Sequence, residues 1–227
     1  MNAQYALSGV TRRTLQVLVA AVIFRLAAPS VLAQGQAPSP TWSQEDGLRI
    51  VKEIQKRVGS LTTLSVFDWI TFGFHGKTVV VRGYASRPIV KSDIGNALKG
   101  LPGVESIDNQ IEVLPTSNSD DRTRAAVYNS IYTQASLRKY NANQGTVGQA
   151  SMGGSVARRA GGITNDPPRG FHAIHIIVKN GNVSLWGDVL NEGDAAIAAM
   201  QANTVFGVFS VDNNLAVEGS KTKPKEK

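Results

Sequence analysis

Residues 103–113 read GVESIDNQIEV and residues 207–217 read GVFSVDNNLAV, so one eleven-residue stretch occurs twice in the chain. Six of the eleven positions are identical, and the two copies are 104 residues apart. The same offset relates Gly83 to Gly187, each of which lies 20 residues before the glycine that opens its copy. Two copies are too few for a solenoid, which stacks many repeats. The 227-residue chain is therefore predicted to fold as two similar small domains in tandem.

The first 33 residues have the pattern of a secretory signal peptide. Arg12 and Arg13 precede an apolar run at residues 15–24, and the small residue Ala33 is suited to the cleavage position. Arg25 ends the run before it reaches the roughly 20 residues that a membrane-spanning helix needs. Residues 11–15 also loosely match a twin-arginine export signal, which leaves the export route open. We expect a cleaved signal peptide at 1–33, a disordered lead-in at 34–44 and a periplasmic location.

Composition and charge exclude several classes of function. The chain has no cysteine, which rules out cysteine metal sites, thiol nucleophiles and the cysteine that anchors a lipoprotein. The net charge is +7, but the signal peptide holds three arginines and no acid, and the basic tail at 219–227 holds most of the remaining excess. The body between them is close to neutral. This argues against a groove that follows nucleic-acid phosphates. Because no cysteine is available for lipid attachment, we expect a soluble protein without a lipid anchor.

The first unit is predicted at residues 45–115, with the order helix, strand, strand, helix, strand. The evidence is helical spacing, alternation of apolar and polar residues, and glycines or prolines at the boundaries. Ser86 is a candidate helix cap, and Pro88 suits a first helical turn. A polar linker at 116–119 follows the unit. The predicted helices lie at 45–58 and from 86–88 to 101, and the predicted strands at 66–74, 78–82 and 107–113.

The second unit, at residues 120–218, repeats this order around a long insertion. Asn180-Gly181 is a strong signal for a two-residue hairpin turn, and the corresponding turn of the first unit is predicted to be one residue longer. Residues 141–170 contain seven glycines and have no counterpart in the first unit. Such a length without regular structure indicates disorder or a binding loop, and we expect disorder. The basic tail at 219–227 is also expected to be disordered.

The sequence offers few groups for catalysis. His172 and His175 are three apart on a predicted strand, so they should point to opposite faces and cannot share a metal. Asp108 and Asp212 recur, but Asp-Asn pairs beside such strands more often fix the backbone through side-chain hydrogen bonds. We therefore expect no enzyme activity, no cofactor and no metal. The recurring glycines and the hairpin glycine should mark turns that need glycine geometry: Gly83, Gly103, Gly181, Gly187 and Gly207.

Each unit resembles a BON domain, a module of bacterial envelope proteins. The resemblance rests on residues 180–187 and 207–217 of the second unit and on residues 76–83 and 103–113 of the first. It implies an α+β fold: two αββαβ sandwiches, each with a three-stranded mixed sheet and two helices on one face. It also implies a non-enzymatic role in binding anionic phospholipid or in supporting the envelope under osmotic stress. A scaffold that binds an envelope protein, without lipid contact, is the alternative.

The second unit is predicted to carry the contact surface. At the positions of Arg82, Glu105 and Pro102 in the first unit, it has Trp186, Phe209 and Phe206. Trp186 should lie on the sheet face opposite Leu185, beside Ile177, where an exposed apolar patch indicates a contact. We expect this surface to contact lipid headgroups, a partner or the first domain's sheet. Alternatively, Phe206 and Phe209 fill core space beside a helix of small alanines, which for Phe206 is the favoured interpretation.

Overall fold

The computed structural model describes residues 42–141, 162–168 and 170–219. The predicted signal peptide and most of the lead-in, of the insertion and of the basic tail lie outside these residues. No helix in the described ranges is both long and apolar enough to cross a membrane.

The first domain has the predicted order of elements and the predicted mixed sheet. Strand β2 (Thr78–Ala85) pairs antiparallel with β1 (Trp69–His75) and parallel with β3 (Ser106–Asn109) and β4 (Glu112–Val113). The predicted last strand is interrupted at residues 110–111, so it forms two short strands rather than one. Both helices pack on the face that carries Phe72 and Val81, which closes the core. The elements are α1 (Gln44–Gly59), β1 (Trp69–His75), β2 (Thr78–Ala85), α2 (Pro88–Leu98), β3 (Ser106–Asn109) and β4 (Glu112–Val113).

The second domain repeats this topology, with its strands in the order β5 (Ile174–Lys179), β6 (Asn182–Val189) and β7 (Ser210–Val217). Its first helix begins two residues before the predicted start of the unit, where the Ser117 hydroxyl caps it by accepting a hydrogen bond from the backbone N–H of Asp120. A short 3₁₀-helix, Arg138–Tyr140, follows that helix. The elements are α3 (Asn118–Tyr132), β5 (Ile174–Lys179), β6 (Asn182–Val189), α4 (Glu192–Asn203) and β7 (Ser210–Val217). The fold is thus α+β, with two similar sandwiches.

The two β-hairpins have turns of equal length, so the prediction of a longer first turn is wrong. His75 pairs with Thr78 and Lys179 pairs with Asn182, which leaves two turn residues in each hairpin. In the second turn Asn180 and Gly181 both have positive φ, at 53° and 76°, as a type I′ turn requires. The equal turns keep the 104-residue offset through both sheets.

The end of the predicted disordered insertion is folded. Residues 162–165 form one helical turn, and Ile163, at 5% exposure, belongs to the core of the second domain. The hydroxyl of Thr164 bonds to Asp121 and accepts from the buried guanidinium of Arg124. The prediction of disorder over the whole of 141–170 is therefore wrong at this end. Residues 142–161 and 169 lie outside the described part of the chain.

One segment assigned to the first domain belongs to the core of the second. The predicted strand at 66–74 begins only at Trp69, because Val66 and Phe67 turn away before it. Both are buried among residues of α3, β5 and β6. The Phe67 ring lies 6.4 Å from that of Tyr128, and the carbonyl of Val66 accepts a hydrogen bond of 2.8 Å from the backbone N–H of Ile176. We call Val66-Phe67 the crossing segment.

Candidate functional site

The outer faces of the two sheets meet in an apolar cluster that we call the domain interface. Trp69 and Leu114 of the first domain and Ile177 of the second are buried there, and Tyr84 and Trp186 pack against them. The rings of Trp69 and Trp186 stack with centroids 5.8 Å apart and planes at 20°. The His175 ring lies 5.2 Å from that of Trp69. The sheet faces that the helices leave open thus cover one another at this point.

The structure places Trp186 and Ile177 against the first domain's sheet, one of the three contacts left open by the sequence. Trp186 lies on the predicted face of β6, opposite the buried Leu185, but Trp69 covers it. Ile177 is only 3% exposed. These two side chains are therefore engaged within the chain. The expectation that they form an exposed patch is wrong, because alternation along a strand fixes a face and not what covers it.

A buried carboxylate holds the segment that leads into the interface. Asp68 accepts hydrogen bonds from the backbone N–H and hydroxyl of Ser65 and from the same two groups of Ser86. Burial raises the pKa of Asp68, while these four bonds act in the opposite direction. Ser86 was a candidate cap of α2, but it does not cap this helix. Its hydrogen bonds to Asp68 fix the crossing segment instead. Across the interface, Lys179 pairs with Glu112 at 2.6 Å, but an exposed pair adds little stability.

We expect Trp186→Ala to destabilise the protein by about 2 kcal/mol, because a half-buried Trp loses less than the roughly 3–5 kcal/mol of a fully buried one. Urea unfolding of Trp186→Ala, Trp69→Ala and the double variant measures the coupling between the two rings. We expect a coupling of about 0.5–1.5 kcal/mol, typical of an aromatic pair. Phe206→Ala, at a fully exposed position, is the control and should unfold like the parent. Strictly additive losses would contradict a direct stack.

Phe206 and Phe209 stand in solvent at one end of the second domain. They are 101% and 80% exposed, so the favoured prediction that Phe206 fills the core is wrong. The backbone N–H of Phe209 donates to the carbonyl of Gly181 at 2.9 Å, which joins the α4–β7 connection to the β5–β6 turn. The ring also covers Gly181, where an added Cβ would lie 2.6 Å from it. We call Phe206 and Phe209 the aromatic tip.

The turn beneath the aromatic tip is fixed from helix α3. The carboxylate of Asp120, 2% exposed, accepts from the backbone N–H groups of both Asn180 and Gly181 at 2.9 Å. The tip therefore sits on a turn whose donors are satisfied. A rigid support of this kind suits two apolar rings that are held out in water.

The residues that recur between the copies serve the fold. The Asn109 side chain donates to the carbonyl of Lys91 and accepts from the N–H of Ile111, and Asn213 makes the equivalent bonds to Ala195 and Leu215. These bonds tie each last strand to the second helix of its domain, and the predicted role of fixing the local backbone belongs to the Asn of each Asp-Asn pair. Asp108 and Asp212 themselves are exposed.

The recurring glycines have positive φ. The prediction that they mark turns is wrong for Gly83 and Gly187. They are inside β2 and β6, where an added Cβ would come within 1.9 Å of the carbonyl oxygen of Trp69 in β1 and within 1.8 Å of that of Ala173, just before β5. Close approach of two strands, together with φ near 126° and 128°, is what requires glycine at these positions. The others have φ of 83° at Gly103, 76° at Gly181 and 91° at Gly207.

The histidines lie in packed or exposed positions rather than in a cluster. Burial lowers the pKa of His172 and of His175 to about 4. The Nε2 atom of His172 lies 3.0 Å from the Tyr128 hydroxyl, while His75 is exposed at the end of β1. Burial, with a contribution from Glu218, raises the pKa of Asp188 to about 6. Among the described residues, no group of three or more His, Asp and Glu side chains could hold a metal ion.

In the described part of the chain, two small α+β sandwiches meet through the outer faces of their sheets. The model of the BON domain family matches residues 73–115 and 162–219. The chain is a protein with two BON domains in tandem. A BON domain indicates an envelope-associated binding module. No curated protein matches the chain.

Two solved structures of a Chlamydia trachomatis protein resemble the chain weakly. One is the C-terminal domain of CdsD, the structural protein of the type III secretion system, at 13% identity and a TM-score of 0.24. The match covers 74% of this chain and 96% of that one. The other is a further CdsD structure at 14% identity and a TM-score of 0.23, covering 74% and 92%. A TM-score this low carries no conclusion about function.

Proposed function

We propose that this chain is a non-enzymatic binding module of the cell envelope that contacts anionic phospholipid through the aromatic tip of its second domain. The observation that carries the proposal is the exposure, at 101% and 80%, of two phenyl rings three residues apart in the α4–β7 connection, Phe206 and Phe209, the second of which is hydrogen-bonded to the β5–β6 turn. Exposed apolar groups of this size mark contact surfaces. Trp186 and Ile177 are covered by the first domain, so they take no part in this contact.

Charge supports an anionic surface as the target. Without the three arginines of the predicted signal peptide the net charge is +4, and +3 of this lies in the last seven residues, which hold four lysines and one glutamate. A negatively charged membrane attracts basic segments at close range, while apolar rings supply contact area that salt does not screen. The two contributions predict that binding weakens, but persists, when the salt concentration is raised.

Flotation with phosphatidylglycerol vesicles tests the proposal. The double variant Phe206→Ser/Phe209→Ser should bind at least about tenfold more weakly, since each buried ring contributes of the order of 1.5–3 kcal/mol when fully transferred from water. Its thermal unfolding should match the parent, because both rings are exposed. Leu190→Ser is the matched control: Leu190 is 55% exposed and lies at the opposite end of α4.

The same experiment separates the two classes of binding partner. Parent protein that fails to float with vesicles of any composition contradicts lipid contact and favours the scaffold that binds an envelope protein. Parent and double variant that float equally well contradict the assignment of the aromatic tip. A control variant that loses binding together with the double variant would show that the effect is not specific to the tip.

A further inference from the structure

A small cavity opens where the two domains diverge beside the domain interface. It has a volume of about 220 Å³ and is lined by Tyr84 of the first domain and, from the β5–β6 hairpin of the second, by Ile177, Lys179, Asn180, Asn182 and Ser184. Cross-strand pairing places Ile177 beside Ser184 and Lys179 beside Asn182, on the outer face of the hairpin. Both domains contribute to the lining, so the cavity exists only when they are docked.

The charge in this cavity is compensated. Lys179, the lining residue with a charged side chain, forms an ion pair with Glu112 of the first domain at 2.6 Å. The hydrogen bond to Glu112 also raises the pKa of Lys179, which favours the protonated ammonium. A cavity in which the ammonium already has a carboxylate partner gives no strong preference for a phosphate or another ion.

Several polar groups of the lining remain available to a ligand. Within the described residues, the hydroxyls of Tyr84 and Ser184 and the side-chain amide of Asn180 make no hydrogen bond, whereas Asn182 is engaged by Ser210 and by the turn. A hydroxyl both donates and accepts, and an amide presents a donor and an acceptor side by side. Next to them, the partly buried Tyr84 ring supplies apolar surface, while Ile177, at 3% exposure, only borders the cavity.

We propose that this cavity binds one pyranose ring of an oligosaccharide. Sugar hydroxyls both donate and accept, which matches the free hydroxyls and amide, and the C–H face of the sugar ring suits the apolar face of the Tyr84 ring. The cavity is smaller than the about 300–1,000 Å³ of sites for drug-sized ligands, which fits a single ring and not a lipid chain. This inference is independent of the aromatic tip and of the proposed lipid contact.

Titration of the full chain with N-acetylglucosamine and with glucose, followed by amide chemical shifts in NMR, tests the inference. A ligand with so few atoms should bind with a Kd of about 1 mM or weaker. We expect saturable shifts at Lys179, Asn180 and Ser184. Ser184→Leu fills the cavity and should abolish them. Val80→Leu, which places the same leucine side chain at the equivalent strand position of the first domain outside the cavity, should leave them intact.

Inorganic phosphate, titrated in the same way, distinguishes the two ligand chemistries. Saturable shifts with phosphate and none with either sugar would overturn the inference in favour of an anion site. Sugar-induced shifts that persist in Ser184→Leu would also overturn it, because the ligand would then bind elsewhere. Amide spectra of both variants show whether each still folds, and Tyr84→Phe, which keeps the ring and removes the hydroxyl, provides a second test with an expected several-fold weaker affinity.

Discussion

Phe67→Ala should destabilise the second domain by about 3–5 kcal/mol, although the residue lies in the stretch of sequence assigned to the first. Phe67 is fully buried, and its ring packs against Tyr128 of α3. Its removal leaves a cavity in the core that joins α3 to β5 and β6. Hydrogen exchange of the backbone amides in Ile174–Lys179 measures the loss, since these amides report the opening of the second sheet.

Phe72→Ala is the matched control for this experiment. Phe72 is 6% exposed and belongs to the core of the first domain, so its truncation should expose the amides of β1 and β2 first. If Phe67→Ala instead weakens protection in β1 and β2 while leaving β5 unchanged, the crossing segment contributes to the first core and not to the second. Equal loss throughout both sheets in both variants would show a single cooperative unit.

Gly187→Ala should destabilise the second domain by more than about 4 kcal/mol, a range reached only by severe steric or polar defects. An added Cβ would lie 1.8 Å from the carbonyl oxygen of Ala173, in a backbone with φ of 128°. Strand β5 would have to separate from β6 to relieve this contact. Thermal unfolding measures the loss, and Gly83→Ala should have the same effect in the first domain, where the distance is 1.9 Å.

Gly47→Ala should change the stability in the opposite direction, and it serves as the control. Gly47 lies inside α1, and no atom lies within 4 Å of its added Cβ. Ala at this position should therefore stabilise the chain by about 0.5–1 kcal/mol through helix propensity. A Gly187→Ala protein that unfolds like the parent would mean that the two strands are not held as close together as the structure shows.

The tandem architecture could be predicted because a repeat and the alternation of apolar and polar residues can both be recognised in the sequence itself. The 104-residue offset fixed equivalent strands, and alternation assigned Trp186 and Leu185 to opposite faces of β6. The partner of an outer face is set by tertiary packing, on which alternation gives no information. A tryptophan on the outer face of each domain, Trp69 and Trp186, was the available signal that these faces meet.

The core of the second domain could not be completed from its own sequence. The small side chains of α4, such as Ala198 and Ala202, indicate missing volume, which favoured Phe206 as the residue that fills it. Phe67 and Ile163, from the crossing segment and from the end of the insertion, join this core instead. Neither segment has a periodic pattern that connects it to this core. Phe206 is consequently left in solvent.

The crossing segment also constrains the order in which the chain can mature. Val66 and Phe67 are synthesised more than 100 residues before Ile174–Lys179, the strand that covers them. At about 5–20 residues per second, the wait is on the order of ten seconds, during which two large apolar side chains have no partner. The helices and strands of the first domain can form in this interval, but the apolar side chains of the crossing segment are then exposed to solvent. A truncated chain that ends before β5 should therefore associate with itself or with chaperones, so the second half of the protein protects the first from aggregation.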